Sequence, residues 1–172
     1  RVRWQPPESY PEEHYGRQAP MLAQRFVRTG AKPSVFRVCT FFGRAVAAIR
    51  YDLESARIAD VMLEEAEPVS NRIVASAKGS TISLANDADV VALGEACHRV
   101  FPETPMIGAD IMREEATGKL WVAEVNRGYC WLLSNGAALK MREQFGLDFH
   151  AQFDGLRRAA EGAADATRRL AR

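Results

Sequence analysis

Three side chains near the middle of the chain have the types and spacing to do chemistry together: Asp110 in Gly108-Ala109-Asp110-Ile111-Met112, and Glu124 and Asn126 in Val122-Ala123-Glu124-Val125-Asn126. Side chains alternate along a strand, so if both stretches are strands, Asp110 and Met112 share one face, as do Glu124 and Asn126. Ile107, Ile111, Trp121, Ala123 and Val125 are then expected in the apolar core. A turn centred near Thr117 sets Asp110 opposite Glu124. Like charges at cross-strand positions are destabilising unless something offsets them, and a divalent cation would. Two carboxylates and an amide are hard oxygen donors, which suit magnesium or manganese with positions left open for a nucleotide. The expected metal ligands are therefore Asp110, Glu124 and Asn126. Glu124-Val125-Asn126 runs directly into Arg127-Gly128, where glycine permits close approach of a ligand. The plain alternative is a half-exposed strand whose acidic residues merely face water.

The hairpin that would carry these residues spans Met106 to Arg113 and Lys119 to Val125, with Thr117-Gly118 in its turn. Upstream, Ser34 to Phe42 and Ala45 to Tyr51 are β-prone runs around Gly43-Arg44, a signal for a two-residue type II′ turn. Met21 to Arg28 is a further short strand candidate, and Gly79-Ser80 a turn. Asn86 and Asp87 offer N-caps for a helix reaching about Arg99, with Val90, Val91, Leu93, Ala96, Cys97 and Val100 on its apolar stripe. From Phe153 the proline-free tail forms a second helix with Phe153, Leu156, Ala160, Ala163, Ala164, Thr167 and Leu170 on one stripe. The fold class expected is α+β, an antiparallel sheet with packed helices. Residues 1–20, broken by Pro6, Pro7, Pro11 and Pro20, form an extended entry segment, and 21–172 form the folded unit.

With 172 residues, 47% hydrophobic and 26% charged, the chain has apolar material for a core, which excludes fibrous and wholly disordered classes. Twenty-three basic against twenty-two acidic residues leave a charge of +1, with no basic block to suit nucleic acid or a membrane surface. No apolar run approaches the ~20 residues of a membrane helix, and no signal-peptide pattern is present. Cys39, Cys97 and Cys130 lack metal or disulfide spacing, which fits free thiols in the cytoplasm. His14, His98 and His150 pair with no nucleophile; His98 is expected on the exposed side of its helix. Trp121 and Trp131 are expected as anchors in a core or pocket wall, and Arg168, Arg169 and Arg172 as a solvated helix end.

The residues resemble the ATP-grasp ligases, in particular the branch of glutathione synthetase and the ribosomal-protein glutamate ligases, from about Met21 onward. Ala23-Gln24-Arg25-Phe26-Val27 is similar to the family's linker strand, V-Q-E-F-I. Val35 to Ile49 is similar to the hairpin that follows, including its arginine at Arg37, and Gly108 to Asn126 to the closing hairpin, G-x-D, a turn, then L-E-V-N. The resemblance implies a C-terminal ATP-grasp subdomain that binds ATP with Mg2+ (or Mn2+) on Asp110, Glu124 and Asn126. It places Met112 under the adenine and Gln24, Arg25 and Val27 around it. It makes Arg72 the group that stabilises an acyl phosphate, with Lys78 and Arg127 near the substrate. The implied reaction joins a small-molecule or peptide carboxylate to an amine or thiol acceptor after activation by ATP.

The departures from the pattern are equally specific. Arg25 stands where the linker carries an acid, and Val74-Ala75 stand where an asparagine would follow Arg72. The strand with the phosphate-binding lysine and the glycine-rich loop are not found, so the chain reads as the C-terminal half of a longer enzyme. It begins at Arg1 without methionine, as a cut or processed end would. Two rival readings remain: a metal-dependent nuclease hairpin, whose E-x-K would here be Glu124-x-Asn126, and a non-catalytic nucleotide-binding module. The near-zero charge disfavours the nuclease. A homodimer is left open.

Overall fold

Alternating apolar residues from Ser34 onward run as extended strands in the computed structural model, which describes residues 9, 11–13, 25–53, 80–128 and 135–171. Strand β1 (Ser34–Phe41) pairs antiparallel with β2 (Arg44–Leu53). β3 (Ser80–Leu84) lies along β2, while β4 (Met106–Arg113) and β5 (Leu120–Arg127) extend the sheet beyond β1. The spatial order is β3-β2-β1-β4-β5, with antiparallel neighbours throughout. Four helices follow in chain order among the described residues: α1 (Ala88–Arg99), α2 (Asn135–Phe145), α3 (Phe149–Gln152) and α4 (Gly155–Leu170). The molecule is α+β, as expected.

The β1–β2 loop differs from expectation by one residue. Its central residues are Phe42 and Gly43, both at positive φ (44° and 87°), the signature of a type I′ turn and not of type II′ starting at Gly43. A bulky residue is disfavoured there. Phe42 is held by its N–H donating to the Pro105 carbonyl at 2.8 Å and by an edge-on contact with the Phe41 ring, centroids 4.8 Å apart.

Each sheet face has its own core. Phe36, Val38, Ala109 and Ile111 pack with Val90 of α1 on one side, while Cys39, Ala47, Ile49 and Tyr51 pack with Ala138, Phe149 and Ala159 of α2, α3 and α4 on the other. The α1 contact is close because of Gly94, where a Cβ would sit 2.5 Å from the Val38 Cβ. One turn on, His98 is 2% exposed and its Nδ1 shares a 2.6 Å hydrogen bond with the Thr40 hydroxyl. The expectation that His98 faces solvent is therefore overturned: the buried stripe is Val90, Gly94 and His98, whereas Val100 is 71% exposed.

Helix α4 corrects a second expectation. It buries Gly155, Ala159, Gly162 and Ala166, leaving Leu156 and Leu170 exposed. Small residues face the sheet because the backbones approach: a Cβ on Gly162 would lie 2.8 Å from the Phe41 carbonyl oxygen. Arg44 ties β2 to this helix through Glu161 (3.1 Å) and Asp165 (2.8 Å). At the end of the β2–β3 ladder, the Gln152 side chain takes over the strand's role. Its carbonyl accepts from Ala48 N–H at 2.9 Å and its amide donates to the Ala48 and Ala85 carbonyls at 2.8 Å.

Other expectations fall out as follows. Arg25–Arg28 is not a strand, and 21–24 lie outside the described residues, as do His14, Cys130, Trp131 and nearly all of 1–20. Ser80 opens strand β3 instead of forming a turn. Cys39 is buried and Cys97 half-buried. No helix among the described residues is long and apolar enough to cross a membrane.

Candidate functional site

Strands β4 and β5 place Asp110 directly opposite Glu124 and Gly108 opposite Asn126, the register expected from the turn. Across the other edge of β4, Asp110 faces Arg37 of β1. Arg37, Asp110 and Glu124 thus form one cross-strand row of alternating and then like charge. The Arg37 guanidinium grips the Asp110 carboxylate in a fork, Nε to Oδ1 and Nη2 to Oδ2, both at 2.6 Å. The pair is largely sheltered, with side chains 21% and 13% exposed, and such bidentate charge-assisted bonds are among the stronger and more directional ones.

This geometry corrects one step of the sequence argument. Repulsion between Asp110 and Glu124 was expected to require a dication, yet Arg37 already supplies positive charge to the row. The register is therefore not by itself an argument for metal. The donor chemistry still fits one. A carboxylate offers about four lone-pair positions, of which a forked arginine takes two. Glu124 is exposed, and Asn126 is half-buried opposite a glycine that has no side chain to crowd it. Among the described residues, no group of three or more His, Cys, Asp or Glu side chains could hold a metal ion. A cation on the row would therefore need Asn126 and oxygen atoms from a bound ligand.

A bulge shapes the rest of this face. The register shifts after Asp110, so that Ile111 pairs with Val122 and Met112 with Trp121, leaving Ala123 as the extra residue on β5. Trp121 is consequently opposite Met112, on the side of Asp110 and Glu124, and not in the core where unbroken alternation would put it. Its ring lies under two cations, the Arg25 guanidinium at 5.3 Å and the Lys119 ammonium at 4.0 Å from the centroid.

The segment carrying Arg25 and Val27 runs beside the tip of the same hairpin. Arg25 pairs with Glu114 at 2.7 Å and Arg28 with Glu115 at 2.9 Å, while Glu115 N–H donates to the Arg28 carbonyl at 2.8 Å. The Thr117 hydroxyl, then the charges of Arg25 and Lys119, hold the Glu114 carboxyl below its ordinary range. Val27 is 7% exposed and anchors the segment, leaving Arg25 outward.

The structure thus gathers Asp110, Glu124, Asn126, Met112 and, through Trp121, Arg25 at one end of the sheet. Arg127 is exposed and sits opposite the buried Ile107, on the alternate face, so it is not brought to the carboxylate row. Gln24, Arg72 and Lys78 lie outside the described residues. The residue that spacing alone did not reveal as part of the site is Arg37 as the partner of Asp110. Its signal was a charge in an otherwise apolar run, Val35-Phe36-Arg37-Val38, because a charge drawn into a half-buried strand needs a counter-charge nearby.

A second acidic pairing lies away from this face. Arg113 forks onto Asp89 at the start of α1, at 2.7 and 2.8 Å. Hydrogen bonding from Arg113 pulls the Asp89 carboxyl down to about 2.

No protein-family model matches the chain, and no curated protein sequence matches it. Among solved structures, the chain is similar to the D-alanine–D-alanine ligase from Bacillus anthracis, a crystal structure complexed with ATP. The identity is 13% and the TM-score 0.39, over 80% of this chain and 40% of the ligase chain. The chain therefore spans well under half the length of that protein.

Proposed function

We propose that this chain is the nucleotide-binding half of an ATP-dependent ligase of ATP-grasp type, joining a carboxylate to an amine or thiol. The observation that carries the reading is the shared face of Asp110, Glu124 and Asn126, in the register the motif requires, beside Met112 and Trp121. The likeness of Ala23–Val27, Val35–Ile49 and Gly108–Asn126 to the family's three segments also supports it.

In this reading Asp110, Glu124 and Asn126 would hold Mg2+ or Mn2+, which would supply charge neutralisation for the phosphates of ATP. Met112 and Trp121 offer apolar surface to the adenine, and Gln24, Arg25 and Val27 border it. Arg72 stabilises the acyl phosphate formed when the γ-phosphoryl passes to the substrate carboxylate, with Lys78 nearby. The protein's task is positioning and charge neutralisation, because phosphoryl transfer asks for little covalent chemistry from side chains. The acceptor then displaces phosphate.

Thermal unfolding with ATP plus Mg2+, ADP plus Mg2+, and duplex DNA tests the reading. Nucleotide should raise the melting temperature only when metal is present, and Asp110→Asn or Glu124→Gln should remove the shift. Stabilisation by DNA alone, or a nucleotide shift untouched by either substitution, would overturn it.

A further inference from the structure

We infer that Arg37 acts as an internal counter-cation that keeps the Asp110–Glu124 site poor in free metal, so that the dication enters together with nucleotide phosphate. The inference rests on the nucleotide–metal reading of the site and adds a residue and a binding order to it. Its basis is the forked contact, in which Nε and Nη2 of Arg37 each lie 2.6 Å from an Asp110 oxygen.

The charge arithmetic of the row explains the order. Asp110 and Glu124 together carry two negative charges, and Arg37 removes one of them before any ligand arrives. A dication sharing the Asp110 carboxylate with the guanidinium meets a like charge within a few ångströms. The pair is only 21% and 13% exposed, so water screens that repulsion incompletely. Mg2+ held by one or two carboxylates usually completes its shell with substrate phosphates. Triphosphate oxygens offset the single positive charge in excess once a dication has joined the row, and the guanidinium is itself a good phosphate partner. A dication alone leaves the row with a net positive charge, which phosphate oxygens on the metal offset.

A role for Arg37 as a mere orienting clamp makes the opposite prediction. Loss of a residue that only aims a metal ligand weakens metal binding, typically by about 10–100-fold. Loss of a competing cation strengthens it.

The test is titration of the 172-residue chain with Mn2+ alone, read by the electron paramagnetic resonance signal of the free ion, and then with Mn2+ plus ATP. Arg37→Gln should bind Mn2+ alone about tenfold more tightly than wild type, from removal of one positive charge a few ångströms away. Arg37→Lys keeps the charge and should bind Mn2+ alone as wild type does. Thermal unfolding of each variant, followed by circular dichroism, confirms that it is folded; if Arg37→Gln is not, Arg37→Met, which fills the same space without charge, takes its place. Unchanged or weaker Mn2+ binding in the neutral variant, with wild type still binding Mn2+ plus ATP, overturns the counter-cation role and leaves the nucleotide site standing. If wild type and variants bind neither Mn2+ nor Mn2+ plus ATP, the nucleotide–metal reading itself fails and the inference falls with it.

Discussion

Consecutive residues of β1 and β4 point into two different environments. Val38 and Ala109 turn toward α1 and are fully buried, whereas Arg37 and Asp110 turn the other way, into a forked ion pair that retains 21% and 13% exposure. On the α1 side a glycine admits the helix against Val38, and a hydroxyl pairs with Nδ1 of His98. On the other side, the β4–β5 end gathers oxygen donors, cations and an aromatic ring. The first face is filled by α1, whereas the second is filled by helices over β1 and β2 and left uncovered at its β4–β5 end. The same period-two alternation produces both.

The largest effect should come from breaking the packed face. Gly94→Ala places a Cβ 2.5 Å from the Val38 Cβ, and with neither backbone free to retreat we expect a loss of about 3 kcal/mol in urea unfolding. The open face should be less costly. Asp110→Asn leaves a half-buried guanidinium short of its counter-charge and should cost about 1–2 kcal/mol, after allowance for residual solvent access, together with all metal-dependent nucleotide stabilisation.

Acidity separates the faces again. Burial pushes the His98 imidazole below its ordinary 6.5, with the charge of Arg169 acting in the same direction against a backbone contact with Thr104. The unfolded chain then takes up the proton first, so stability is flat above about pH 6.5 and falls as pH drops below it. The slope cannot exceed about 1.4 kcal/mol per pH unit. His98→Gln should flatten unfolding midpoints measured between about pH 7 and 5.5. Asp89 works at lower pH: with its carboxyl lowered from 3.8 to about 2 by Arg113, its stabilisation is present above about pH 4 and is lost as pH falls through 2. The pair is exposed, so Asp89→Asn should change stability at pH 7 by less than about 1 kcal/mol. The smallest stability change belongs to Glu124→Gln, within about 0.5 kcal/mol, although it should abolish metal-dependent nucleotide binding. That split between stability and binding is what sharpens the contrast.

Much of this was legible in the sequence where the signal is local. Alternation and turn residues located β1, β2, β4, β5 and α1 to within a few residues, and the centre of the Thr117 turn fixed Asp110 against Glu124. What escaped depended on partners distant in the chain. Strand β3, Ser80–Leu84, lies at the sheet edge with exposed and half-exposed residues alternating, and offers little apolar contrast. Helices α2 and α3 carry no strong stripe. The face of α4 was misjudged, and on α1 the places of His98 and Val100, because apolar size was taken as the guide, whereas close backbone approach selected Gly94, Ala159 and Gly162; Val90, Val91, Leu93 and Cys97 pack against the core as expected. The bulge at Ala123 moved Trp121 to the open face, since one extra residue inverts the alternation beyond it. Arg37 neutralises a residue 73 positions away, a pairing that only the β1–β4 register reveals.

Under the proposed function, the β4–β5 end of the open face receives a metal–nucleotide. Paramagnetic broadening of amide resonances by substoichiometric Mn2+ plus ATP tests it most directly. Signals from Gly108, Asp110, Met112, Glu124 and Asn126 should vanish first, while those of β3 and the C-terminal end of α4 persist. Uniform broadening, or loss centred on any other part of the molecule, would contradict it.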